Sequence, residues 1–207
     1  MPLPSLSRHM QLWPTDVHIH VWDDPEFDAR LTKLILANSP EFSEGEEMRV
    51  YDILHLDAPE ISVVRERAMW AVQGFLGPEA DGTYEDIELT GRAVVIHDRG
   101  FIQTHNEARE ADLTVAYWPT GDVRGVPWSY GGNPRFVVED PSRSLNDLRL
   151  PKEMRHSIHI TPRPGTLLVM PAHIRHHQQP YRGVSPHLQI VCNVRVRFTD
   201  EYFRNKW

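Results

Sequence analysis

From about residue 84 onward the chain offers only short apolar or alternating runs broken by turn residues, and this half limits the possible folds most. Candidate strands fall at 87–97, 101–105, 113–118, 136–139, 157–161, 166–170, 176–181 and 187–198. Eight strands at this spacing, following two helical segments, predict a β-sandwich or small barrel with helices on one outer face. The 17 prolines suit such a loop-rich strand protein. With 207 residues there is material for one hydrophobic core, so residues 1–207 are expected to form a single domain.

The first half supplies the helices. Residues 16–22 alternate Val17, Ile19 and Val21 against His18 and His20, the period of a strand with one buried face. Asp23 and Asp24 then offer an N-cap and Pro25 a first-turn residue. Phe27, Leu31, Leu34 and Ile35 follow at helical spacing, which predicts a helix over 25–38. A second helix is predicted over 59–75, with Ile61, Val64, Ala68, Val72 and Phe75 on one side and Gly77 beyond its end. Residues 43–47 read as an acidic surface loop, and 121–134 as a long Gly- and Pro-rich loop of functional length.

A formal charge of -7 argues against a general nucleic-acid or anionic-membrane binder, since those surfaces are gripped by excess lysine and arginine. No stretch approaches the ~18 apolar residues of a membrane span, and the only cysteine, Cys192, lies in an apolar strand. The expectation is a soluble, reduced, cytoplasmic protein whose partner is a small molecule or another protein. A homodimer is compatible with it.

Twelve histidines exceed what packing requires. His105-Asn106-Glu107 follows a candidate strand, and residues two apart in extended chain point to the same side, so both can reach one metal ion. About seventy residues later, Met170-Pro171-Ala172-His173-Ile174-Arg175-His176-His177 closes an apolar strand with three more histidines. Two imidazoles and one carboxylate on one face of an octahedral ion leave positions open for a bidentate co-substrate and dioxygen. Adjacent residues in a strand face opposite ways, so only one of His176 and His177 can look inward.

In order and spacing, the chain resembles the 2-oxoglutarate- and Fe(II)-dependent oxygenases with the double-stranded β-helix fold, in particular a branch of short oxygenases. The resemblance covers most of the chain. It is carried by Leu12-Trp13-Pro14-Thr15, His105-Asn106, residues 113–117, Glu139-Asp140-Pro141-Ser142-Arg143 and, most strongly, residues 160–171 (ITPRPGTLLVMP). It runs on through His176, Pro180-Tyr181-Arg182-Gly183 and residues 190–194. The resemblance implies a mainly β jelly-roll or cupin-like barrel with the two helices packed on one sheet. It also implies iron ligation by His105, Glu107 and His176, and 2-oxoglutarate and dioxygen as co-substrates. Conversion of 2-oxoglutarate to succinate and carbon dioxide would then drive hydroxylation of a small-molecule or amino-acid-like substrate.

The sequence departs from the family twice. Its carboxylate is usually Asp, and here it is Glu107. Where the family places an arginine eleven residues after the distal histidine to clamp the far carboxylate of 2-oxoglutarate, this chain has His187. A neutral imidazole cannot make the fork that guanidinium makes with a carboxylate. Either His187 is charged and does a weaker version of the task, or another basic residue such as Arg182 or Arg109 takes it over, or 2-oxoglutarate is not the co-substrate. His187, Arg182 and Tyr117 are the residues expected at the co-substrate, Tyr117 coming from a strand whose Leu113 and Val115 read as barrel wall.

His173 and His177 are expected beside the site or on the surface, and His18, His20, His156 and His159 on solvent faces of strands. Trp118, Trp128 and Tyr130 are candidates for a substrate mouth or for packing anchors. Arg195 and Arg197 are expected to form a solvated basic edge on the last strand. Two other readings stay open: a cupin-like metalloenzyme using the same ligands without 2-oxoglutarate, and a non-catalytic barrel that serves as a binding module.

Overall fold

Each helix begins at a proline that presets the first turn. Asp24 Oδ1 accepts the Phe27 N–H at 3.1 Å and opens the helix Pro25–Asn38 (α1), which buries Phe27, Asp28, Leu31 and Ile35. The helix Pro59–Leu76 (α2) buries Ile61, Val64, Arg67, Ala68, Ala71 and Val72, and ends where Gly77, at φ 77°, returns its N–H to Gln73. The computed structural model describes residues 3–12, 15–41, 48–78, 82–121, 135–139 and 157–200. Within these lie eleven strands: β1 (Leu6–Leu12), β2 (Thr15–Val21), β3 (Met48–Asp52), β4 (Tyr84–Ile96), β5 (Ile102–His105), β6 (Leu113–Trp118), β7 (Phe136–Glu139), β8 (Ser157–Ile160), β9 (Thr166–Pro171), β10 (His176–Gln178) and β11 (His187–Phe198).

The strands form two antiparallel sheets, a large one ordered β1-β2-β9-β6-β11-β4-β3 and a small one ordered β5-β10-β7-β8. All six residues of β6 are buried because both faces of the large sheet's centre are covered. Leu113, Val115, Leu167, Val169, Leu188, Ile190, Cys192 and Val194 pack under the two helices. On the other face Ala116, Trp118, Leu168 and Met170 meet Phe136, Val138, Ile160 and Ile174. The result is the expected double-stranded β-helix, with helices on one sheet and a lined interior between the two.

The helices are also tied to the sheet by a buried polar network. Arg67 donates to the Tyr117 hydroxyl at 2.9 Å and to Asp24 at 3.0 Å, and Tyr117 donates to Asp28 at 2.6 Å. The Arg67 guanidinium lies 4.2 Å from the Phe27 ring centroid, a cation–π contact. Burial raises the Asp28 carboxyl to about 7. Gly165 turns the chain from β8 into β9 at φ 77°, where a Cβ would stand 1.9 Å from the Trp22 carbonyl oxygen.

Several expectations are corrected. Strands β1 and β3 were not expected. Strand β10 stops at Gln178 rather than 181, because Pro180 follows and has no N–H to continue the ladder. His20 is buried rather than solvent-facing: its Nδ1 meets Ser7 Oγ at 3.0 Å and its ring packs on Trp70, while burial pushes its pKa down to about 4. His18 is half-buried against Phe75, whereas His159 is exposed as expected. Strand β11 is not an edge but lies between β6 and β4. Its β6 pairing covers Ile190–Val194, and past Val194 Asp112 accepts the Val196 N–H while the exposed Arg195 donates to the Glu110 carbonyl. Residues 43–47, 122–134 and His156, including Trp128 and Tyr130, lie outside the described residues. Among the described residues no helix is long and apolar enough to cross a membrane.

Candidate metal centre

His105 ends β5 and His176 begins β10, and the two are directly paired across the small sheet. Glu107 follows β5 in a chain that folds back at once: its N–H bonds the Ala172 carbonyl at 2.9 Å, and its own carbonyl accepts the N–H groups of Glu110 and Ala111. One ligand atom from each of His105, Glu107 and His176 can be chosen so that all lie within 4.8 Å of one another. His105 Nε2 is 3.4 Å from Glu107 Oε1, and the two imidazole centroids are 4.4 Å apart. Glu107 and His176 are buried and His105 is half-buried.

Both imidazoles are oriented by the backbone. His105 Nδ1 is 2.7 Å from the Gln103 carbonyl oxygen, and His176 Nδ1 is 3.0 Å from that of Ile174. A carbonyl can only accept, so each Nδ1 carries a proton and the two Nε2 atoms are left as the ligand atoms for a metal. Glu107 and His176 already have the charge states that ligation needs, whereas His105 is shifted toward its protonated form. The hydrogen bond to His105, with help from Arg92, holds the Glu107 carboxyl at about 2 against the opposing effect of burial. Burial pushes His176 down to about 4, while the bond to Glu107 raises His105. An ion that displaces the proton His105 shares with Glu107 would meet two neutral imidazoles and an ionised carboxylate, a donor set that suits a divalent first-row metal.

Beside the triad opens a cleft lined by Met48, Val50, Arg92, Val94, Ile102, Phe136, Gln189 and Val191 together with His105 and His176. Its walls are apolar apart from Arg92, whose Nη2 donates to Glu107 Oε1, and Gln189. Sequence reasoning missed both residues. The available signal was the parity of Arg92 with Val94 and Ile96 in the otherwise apolar end of β4, residues 91–96.

The other expected site residues lie elsewhere. Tyr117 is on the opposite face of the large sheet, engaged by Asp28 and Arg67 under the helices, so its assignment to the co-substrate is corrected. Arg182, Arg109 and His173 are exposed, and His177 turns outward to Glu139 at 3.3 Å. Trp118 is fully buried against Phe136 as a packing anchor. His187 faces the barrel interior but is 1 % exposed, with its Nε2 unpartnered and its ring 5.5 Å from that of Tyr181. Burial drives its pKa down to about 3, so the charged form considered for it is disfavoured.

No protein-family model matches the chain, and no curated protein matches it. Solved structures do. A 2OG-Fe(II) oxygenase family oxidoreductase from Burkholderia pseudomallei aligns at TM-score 0.53 with 18% identity, over 84% of this chain and 79% of its own. A Pseudomonas putida prolyl-4-hydroxylase aligns at 0.57 with 10% identity, over 93% and 91%. HygX from Streptomyces hygroscopicus, solved with nickel and 2-oxoglutarate bound, aligns at 0.56 with 13% identity, over 87% and 82%. The chain therefore has the double-stranded β-helix fold that these oxygenases share.

Proposed function

We propose that the protein is a non-haem Fe(II)- and 2-oxoglutarate-dependent oxygenase that hydroxylates a small-molecule or amino-acid-like substrate. The observation that carries this reading is the triad at the barrel mouth: His105, Glu107 and His176 converge with both Nδ1 atoms already committed to backbone carbonyls. The shared fold of the neighbours supports it, and so does the 2-oxoglutarate bound in HygX.

In this reading His105, Glu107 and His176 hold the iron. Bound there, iron with 2-oxoglutarate and dioxygen supplies the oxidising power for attack on an unactivated C–H bond. The protein's part is positional. The Gln103 and Ile174 carbonyls fix the imidazole tautomers, and Arg92 restrains the longer Glu107 side chain that stands where the family has Asp. Val94, Ile102, Phe136 and Val191 give the cleft a dry wall.

The test is anaerobic titration of the iron-loaded protein with 2-oxoglutarate, which should produce the visible charge-transfer band of a chelated 2-oxo acid. Slow release of succinate should follow on admission of air with ascorbate present. Tight iron binding without the band or turnover at millimolar 2-oxoglutarate would instead support the cupin-like metalloenzyme.

A further inference from the structure

Three polar features of the cleft are unexplained by the triad alone. Arg92 is a cation in a lining that is apolar apart from the two histidines and Gln189, with its side chain 31% exposed. Glu107 engages its Nη2, and its Nε and Nη1 have no protein partner among the described residues. Gln189 is 1 % exposed, lines the same cleft, and buries its Oε1 without a hydrogen-bond partner. That unmatched position costs stability unless the amide is turned so that its NH2 stands there and donates to a group held in the cleft.

The register brings these groups together. Arg92 on β4 is paired with Val191 on β11, and Val94 with Gln189, so Arg92 and Gln189 stand on one face as diagonal neighbours. Diagonal pairs in an antiparallel sheet lie roughly 7–8 Å apart, within reach of two long side chains closing on one small group. A guanidinium with free donors beside an amide that can turn its NH2 outward is a carboxylate receptor. His187 lies one step further along the same face of β11, sealed and neutral.

We infer that Arg92, with Gln189, is the anion anchor of the cleft and grips the far carboxylate of the 2-oxo acid, in place of the arginine missing at 187. The cation has moved from β11 to the neighbouring strand β4. This inference rests on the function proposed above. It makes Arg92 a double contact, restraining Glu107 through one nitrogen and the ligand through the others. Selection among 2-oxo acids then depends on Arg92 rather than on the exposed Arg182 or Arg109.

The experiment compares two ligands by calorimetry on nickel-loaded protein without turnover: 2-oxoglutarate, and 2-oxopentanoate, which keeps the chelating head but ends in a methyl group. Wild type should favour 2-oxoglutarate by roughly 10- to 100-fold, the range for hydrogen bonds to a charged group. Arg92→Gln should bind nickel at full stoichiometry and lose that preference, with 2-oxopentanoate affinity held within about threefold, near the RT scale of a binding measurement. Arg92→Lys should restore part of the preference, Gln189→Met should lose part of it, and Arg182→Gln and Arg109→Gln should keep it. A preference that survives in Arg92→Gln, or that vanishes in Arg182→Gln, overturns the inference alone. If nickel-loaded wild type binds neither 2-oxo acid, the proposed function fails and the anchor with it.

Discussion

His187 allows a stability test that needs neither metal nor substrate. The ring is sealed inside the barrel and its pKa is pushed down to about 3, against 6.5 in the unfolded chain. A histidine with a depressed folded pKa contributes stability that is complete above the unfolded value and is lost as pH falls, because below pH 6.5 only the unfolded state takes up the proton. At pH 5.0 the unfolded imidazole is favoured by a factor of about 30 toward protonation, which is about 2 kcal/mol. This figure is set by the unfolded side as long as the folded pKa stays below about 4. The other buried histidines, His20 and His176, add slopes of the same sign, so wild type alone does not isolate the effect. The difference between wild type and His187→Leu does. In urea unfolding of the metal-free protein, the variant's stability relative to wild type should rise by about 2 kcal/mol between pH 7.5 and pH 5.0. An unchanged difference at the two pH values would falsify the sealed, neutral His187 and reopen a charged imidazole as the co-substrate contact.

Tyr117→Phe removes the hydroxyl that joins Asp28 to Arg67, leaving two buried partners short of a bond; it should cost about 2–4 kcal/mol in urea unfolding with metal affinity unchanged. Gly165→Ala forces a side chain into a left-handed conformation and against the Trp22 carbonyl, so a drop in thermal midpoint of more than about 5 °C is expected by calorimetry. Single alanine substitutions at His105, Glu107 and His176 should each weaken iron binding by at least about tenfold, with far-UV circular dichroism unaltered, since these groups sit at a cleft rather than in the apolar packing.

Much of the fold was legible because its strongest elements satisfy local and global demands together. Pro25 and Pro59 start the two helices, while β6 and residues 188–194 of β11 read as largely apolar because they are covered on both faces. That double coverage also explains the error at Tyr117. Alternation groups Leu113, Val115 and Tyr117 on one face of β6, but when both faces are buried nothing local says which one meets the metal. The half-buried β3, at the edge of the sheet, lacked a clear pattern for the same kind of reason: its neighbour β4 and not its own composition makes it a strand. The triad was legible because His105 and Glu107 are close in sequence and His176 follows soon after the apolar run that forms β9. Arg92 and Gln189 were not, since their proximity depends on β4 lying against β11 about a hundred residues later, a register fixed only by the closed sheet.

The two sheets differ greatly in length. The large sheet is built around strands of 13 and 12 residues, whereas the four strands of the small one have 4, 3, 4 and 4. One of those short strands ends at His105 and another begins at His176, so an ion gripped by both would act as a cross-link between chain segments seventy-one positions apart, on the backbone with the fewest ladder bonds of its own. Ligation then adds its binding free energy to the weaker wall of the barrel. Amide protons of β5, β10 and β7 should be the first to exchange in chelator and the ones most slowed by metal, while those of β6 and β11 scarcely respond.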